Sequence, residues 1–283
     1  SPDGKVKAHL IDSGKEIWTA DIRDFFEEQD FSKMLSGNVD ILTGGVEADS
    51  KFVFVCSASG HLFALNQIDG SFGWKASISS ESLAPPKVDN DLVVVQTIDG
   101  KVAGYGASDG SKRWEYAAKI PPLTLRGTST PMIYDDIVIA GFSNGRIAFI
   151  TRDDGLAAFE QIVGVPEGVS DLEKLVDLDG KMAIENNVLY ITGYQGKLIA
   201  IDLRAGEILW EREASSLAGV SFGFGNVYLI SVDGKVIAYN GANGREVWRV
   251  EALLNRQLNA PLVIGSYLAF TDFEGYLHLL AQS

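Results

Sequence analysis

A chain of 283 residues with 46% apolar residues, 30 glycines and only 8 prolines can bury a large core and make many tight reversals, which excludes a disordered chain. Its 24 basic and 38 acidic residues give a net charge of −14, with Lys and Arg scattered; such a surface does not displace counterions from a phosphate backbone, so nucleic acid is set aside as a partner. No apolar stretch of about 18 residues is present to span a membrane as a helix, and the single cysteine, Cys56 in the run Phe52-Val53-Phe54-Val55-Cys56, reads as a small buried hydrophobe.

The chain begins inside a repeat. Residues 3–18 (DGKVKAHLIDSGKEIW) return as 59–74 (SGHLFALNQIDGSFGW), 99–114 (DGKVAGYGASDGSKRW), 144–159 (NGRIAFITRDDGLAAF), 195–210 (QGKLIAIDLRAGEILW) and 233–248 (DGKVIAYNGANGREVW), and a seventh copy starts at Glu274. Position two is always Gly (Gly4, Gly60, Gly100, Gly145, Gly196, Gly234, Gly275). Position twelve of each full copy is also Gly (Gly14, Gly70, Gly110, Gly155, Gly206, Gly244). Position sixteen is Trp18, Trp74, Trp114, Phe159, Trp210 or Trp248, which uses all five tryptophans of the chain. A glycine after a turn-forming residue predicts backbone with positive φ. An alternating strand, a second turn at the position-twelve glycine and a strand ending in the aromatic follow. A large ring at one place in every unit predicts a packing element between neighbouring units.

Between the copies lie two further strands each, the second being, for example, Leu92–Val95 after Asp89-Asn90-Asp91, Val188–Ile191 after Asn186-Asn187, and Tyr267–Phe270 after Gly265-Ser266. Four antiparallel strands per unit, recurring every 38 to 56 residues, predict an all-β fold: a β-propeller of four-stranded antiparallel blades, forming a single domain over residues 1–283. The chain opens with the last two strands of one blade and closes with the first three of another. At least seven blades are therefore implied, five of them complete, and the ring is incomplete in this chain. It carries neither an initiator Met nor a signal peptide, so targeting information is expected outside these residues.

Two connections are long: 21–40, with Phe25, Phe26 and Phe31, and 161–180. Function concentrates in such loops on rigid scaffolds, although a tolerated insertion looks the same from sequence. Catalytic signals dissolve on inspection. Gly106-Ala107-Ser108-Asp109-Gly110 matches a nucleophile elbow, but it sits where sister copies have ordinary repeat turns. Asp177-Leu178-Asp179-Gly180 has Leu175 and Asn186 where a calcium loop needs acids. His9, His61 and His278 occupy different repeat positions without metal-ligand spacing. No cofactor and no metal are expected, and the chain reads as a non-enzyme.

The pattern A-[LYI]-[DN]-x-x-[DTS]-G-x-x-x-W resembles the tryptophan-docking repeat of quinoprotein-type propellers. Pro121-Pro122-Leu123-Thr124-Leu125-Arg126-Gly127, Leu175-Val176-Asp177-Leu178-Asp179, Leu203-Arg204-Ala205-Gly206 and Asp272-Phe273-Glu274-Gly275-Tyr276-Leu277-His278 resemble, in order and spacing, segments of the BamB family, propeller lipoproteins of the bacterial outer-membrane β-barrel assembly machinery. The resemblance covers essentially the whole chain. It implies eight blades in the full protein, a lipid anchor at the periplasmic face of the outer membrane, and a scaffold that binds the POTRA domains of BamA and helps β-barrel proteins fold and insert. It further implies a partner-binding surface of Leu123, Leu125, Arg126, Asp177 and Asp179. Physics is compatible with that: Leu123 and Leu125 share a side of an extended segment, and Arg is enriched at binding hot spots. From the residues alone, the favoured reading is that both leucines are core and Arg126 merely pairs with Asp177 or Asp179; the resemblance shifts the balance to binding. Two other readings stay open. One is a quinone-dependent dehydrogenase, against which the lone Cys56 and the missing calcium pattern stand. The other is a propeller that binds other peptides by strand addition or loop contact.

Overall fold

In the computed structural model, the structure describes residues 4–26, 42–121, 128–164, 176–178 and 180–282. The described chain forms seven antiparallel sheets in sequence order. A two-stranded sheet, Lys5–His9 and Glu16–Asp21, carries Trp18. Four-stranded sheets follow: Leu42–Ala48, Phe52–Ser57, His61–Asn66 and Phe72–Ser77 with Trp74; Lys87–Asp89, Leu92–Gln96, Lys101–Gly106 and Lys112–Ala117 with Trp114; and Met132–Tyr134, Ile137–Gly141, Arg146–Thr151 and Ala157–Ile162 with Phe159. Two more are Ala183–Glu185, Val188–Ile191, Lys197–Asp202 and Glu207–Glu213 with Trp210, and Val220–Gly223, Asn226–Ile230, Val236–Asn240 and Glu246–Val250 with Trp248. The last, Leu262–Ile264, Tyr267–Thr271 and Leu277–Ala281, has three strands. The fold is thus the expected β-propeller, with two strands at the start, three at the end and five four-stranded blades between.

The chain divides into two compact units: Ser1–Ala118, Arg126–Ala140 and Phe149–Phe159, and Lys119–Leu125, Gly141–Ala148 and Glu160–Ser283. The first holds the Trp18, Trp74 and Trp114 sheets. The second holds the Trp210, Trp248 and final sheets. Residues of the Phe159 sheet belong to both.

Each tryptophan is placed by the same local device. The residue opposite it on the neighbouring strand is small: Ala8, Ala64, Gly104, Ala200 or Ala238. Just before the tryptophan the register slips by one residue, so Ile17, Gly73, Arg113, Leu209 and Val247 are bulged out. A bulge bends a strand and re-aims the side chain that follows. The re-aimed indole reaches the next copy and donates its N–H to the carbonyl of the ninth position there: Trp18 to Gln67 (3.0 Å), Trp74 to Ala107 (2.9 Å), Trp114 to Arg152 (2.7 Å), Trp210 to Gly241 (2.8 Å) and Trp248 to Gln282 (3.5 Å). The rings of Trp18, Trp74, Trp114 and Trp210 lie over the position-twelve glycine of that copy. A Cβ on Gly70 or Gly110 would sit 2.5 Å from Cε3 of Trp18 or Trp74, and one on Gly244 2.5 Å from Trp210. These glycines also have φ between +65° and +72°, a region other L-residues enter only at a cost. Phe159, with no N–H to donate, stacks instead on Phe149 at 4.0 Å between centroids.

Inner strands fill the core with alternating aliphatics. Leu62 and Ala64 pack with Phe54, Val93 and Val95 in the first unit, and Leu198 and Ala200 with Val220, Val227 and Leu229 in the second. The first long connection is structural where it is described. Asp21 accepts the Arg23 amide and starts a short 3-10 turn, Ile22–Phe25. Phe25 then lies 5.2 Å from Phe72, and Phe26 meets His61 and Phe63 edge-on. Phe31 lies outside the described residues. At the opposite ends of the strands, Arg152 ties turns together. It donates to the Asp89 carbonyl at 2.7 Å and the Asp135 carbonyl at 3.3 Å, and it pairs with the Asp89 carboxylate.

Candidate functional site

The five residues singled out for partner binding divide in the structure. Leu123, Leu125, Arg126 and Asp179 lie outside the described residues. Asp177 is described, and it is 1% exposed. Its segment threads through the second unit by main-chain bonds. Asp177 bridges Tyr194, the Tyr194 N–H donating to the Asp177 carbonyl at 2.8 Å and the Asp177 N–H to the Tyr194 carbonyl at 3.4 Å. Val176 and Leu178 are buried on either side. The passage is narrow. A Cβ on Gly193 would lie 2.3 Å from the Asp177 carbonyl oxygen, one on Gly164 2.4 Å from Val176, and one on Gly180 2.7 Å from the Gly219 Cα. Glycine is needed at these points for close approach to backbone at Gly193 and Gly180 and to the Val176 side chain at Gly164. The second long connection therefore ends in a clamped strand-like piece rather than a free loop.

Near this clamp runs a groove of about 680 Å³ lined by Gln161, Ile162, Lys197, Ile199, Ile208 and Glu211, among others. Its charge is set by Lys197, paired with Glu211 at 2.6 Å and Glu213 at 3.7 Å. The Glu211 hydrogen bond comes first among the causes that hold the Lys197 ammonium above its ordinary pKa.

The other segments that resemble the family have plain structural jobs. Asp272 organises the last turn: it accepts the Glu274 and Tyr276 amides, both at 3.0 Å, with Arg256 at 2.7 Å and His278 at 2.9 Å on its second oxygen. Burial pushes its pKa up, but the hydrogen bonds from His278, the Tyr276 amide, Arg256 and the Glu274 amide more than offset that and hold it well below the usual carboxylate range. A depressed folded-state pKa contributes stability that is present above the unfolded value, near 3.8, and is lost as pH falls through the folded one. Asp272→Asn should therefore be less stable than the parent near neutral pH, with the gap closing as acid titrates the parent below about pH 4. Urea melts across pH 2–7 read this out, and a gap that stays constant throughout contradicts it.

Chemistry elsewhere is quiet. Gly106–Gly110 is the turn between strands Lys101–Gly106 and Lys112–Ala117, where Asp109 accepts the Ser111 amide at 3.0 Å. Burial pushes the Cys56 thiol up to about 12, against a smaller opposing hydrogen bond from Ser82. That thiol stays protonated and unreactive. Among the described residues, no group of three or more His, Cys, Asp or Glu could hold a metal ion, and no helix is long and apolar enough to cross a membrane.

A family model described as outer membrane protein assembly factor BamB matches residues 2–250. The chain is similar to the outer membrane protein assembly factor BamB of Pseudomonas aeruginosa, with 36% identity over 95% of this chain and 83% of that protein. It is similar to that of Yersinia pestis, with 34% identity over 97% of this chain and 69% of that protein. Among solved structures, the crystal structure of BamB from Moraxella catarrhalis superposes with a TM-score of 0.89 at 28% identity, over 100% of this chain and 81% of that one.

Proposed function

We propose, since this chain belongs to the BamB family of outer membrane protein assembly factors, that it is a non-enzymatic scaffold that binds the POTRA domains of BamA and aids the folding and insertion of β-barrel outer-membrane proteins. The observation that carries this reading is the identity to the Pseudomonas aeruginosa factor over nearly the whole chain. Residues 1–283 act as one propeller domain, held at the periplasmic face of the outer membrane by a lipid anchor. Leu123, Leu125, Arg126, Asp177 and Asp179 make up the POTRA-binding set. Asp177 is buried, so its part is to fix the segment that carries its neighbours, while Arg126 supplies a planar charged contact of the kind that dominates hot spots. The clamped glycines around Asp177 support this division, because a surface that is already ordered loses less entropy on binding.

Size-exclusion chromatography of the chain mixed with purified BamA POTRA domains tests the reading. One earlier-eluting peak containing both proteins is expected. Separate elution at micromolar concentrations of a folded chain counts against it.

A further inference from the structure

In five of the sheets the first strand passes into the second through a two-residue turn whose first member has positive φ: Asn90, Asp135, Asn186, Phe224 and Gly265, all between +49° and +54°. Asn, Asp and Gly enter that region readily, whereas a bulky side chain there is an outlier. Phe224 is the exception, and its ring is 70% exposed, so packing offsets little of the cost. Backbone strain without a packing return points to a role at the surface.

The turn stands on a firm base. The Gly241 N–H donates to the Gly225 carbonyl at 2.8 Å. The Gly241 carbonyl accepts the Trp210 indole N–H at 2.8 Å and the Tyr190 hydroxyl at 3.2 Å. Tyr190 in turn stacks on Phe222, with centroids 5.2 Å apart. Arg212 holds the far end of the same 241–244 turn, donating to the Gly244 and Asn243 carbonyls at 2.7 Å each and to the Glu211 carbonyl at 2.6 Å. These bonds use three of its five N–H donors and leave its charge uncancelled. Arg245, which is exposed, follows Gly244 directly.

Arg23, Arg113, Arg146, Arg152, Arg249 and Arg256 each pair with a carboxylate. Among the described residues Arg212 and Arg245 make no such pair. The acids around them are placed elsewhere. Glu211 and Glu213 pair with Lys197, on the opposite face of their strand from Arg212. Glu246 and Glu251 are held by Arg249. Glu185 lies on the first strand of the Trp210 sheet, at the opposite edge from Arg212 on the last. The turn therefore offers an aromatic ring on one side and an excess of guanidinium on the other.

We propose that this turn docks an acidic segment of another protein, with an apolar side chain against Phe224 and carboxylates on Arg212 and Arg245. An anionic bilayer fits less well, because the net charge of −14 opposes a broad negative surface, whereas a short segment meets only the local charge. The patch shares no residue with the POTRA-binding set, so either reading can fail without the other.

The test is a fluorescence-anisotropy titration of the chain with a labelled glycine–serine peptide carrying one tryptophan between two pairs of glutamates. Saturable binding is expected, weakened at least about tenfold in Phe224→Asn and in Arg245→Glu. Phe224→Asn installs a residue type that the sister turns use, so it should melt no lower than the parent. Arg245→Glu leaves the Arg212 hydrogen bonds in place. The proposal is overturned by absence of saturable binding, by undiminished binding in either folded variant, or by equal affinity for a peptide with lysines in place of the glutamates. A Phe224→Asn variant that melts well below the parent also overturns it, because Phe224 is then a packing residue. So does binding to phosphatidylglycerol vesicles that both variants lose while the peptide fails to bind, because the occupant is then a lipid surface.

Discussion

Replacing Trp74 with alanine should destabilise the first unit by about 3–5 kcal/mol, the cost of emptying a large buried aromatic site. Three losses combine. The ring leaves the core it shares with Phe54 and Val93, the Ala107 carbonyl loses a donor at 2.9 Å, and the ring's cover over Gly110 is removed. Urea titration followed by the fluorescence of the remaining tryptophans measures the change. Trp74→Phe should cost less, because it keeps most of the apolar area and gives up mainly the indole hydrogen bond, worth about 1 kcal/mol. A Trp74→Ala variant as stable as the parent contradicts the view that these indoles fasten one blade to the next.

The second large effect comes from the other side of the same contact. Gly110→Ala forces an L-residue to φ +70°, which costs about 1–2 kcal/mol. It also places a Cβ 2.5 Å from the Trp74 ring, and overpacking of that kind costs about a further 1–3 kcal/mol. The two parts can be separated. In a Trp74→Ala background the clash is gone and only the backbone cost remains, so the double-mutant cycle should show a coupling of about 1–3 kcal/mol. Strict additivity places the ring elsewhere than over Gly110.

Those two residues also show why so much of this fold can be read from sequence. Indole and glycine recur at a fixed offset because each indole needs a residue without a Cβ in the following copy, so a long-range contact leaves a periodic local trace. The strand count, the positive-φ turns at Asn90, Asp135 and Asn186, and the short first and last sheets all follow from that periodicity. One turn departs from the pattern: Gln195 rather than Gly196 takes positive φ. A Cβ on Gly196 would meet only ordinary contacts, the nearest 3.5 Å away at the Gly193 carbonyl oxygen, so neither φ nor space demands glycine there.

What the sequence hides is whatever depends on residues far apart in the chain. Phe25 and Phe26 look like a loop's aromatic bait and are packing elements, because their partners Phe72, His61 and Phe63 come tens of residues later. Asp177 looks like a surface acid and is enclosed, because its enclosure comes from Tyr194 and Gly193 across a bridge. All five proposed POTRA-binding residues rest on the family resemblance.

The scaffold reading is tested most directly by titrating this chain, beside its Arg126→Glu variant, against purified BamA POTRA domains by calorimetry. The account predicts saturable binding by the parent and at least about a tenfold loss in the variant, with both proteins giving the same circular dichroism and melting curve. A folded parent that binds no POTRA domain, or a variant that binds as tightly as the parent, contradicts it.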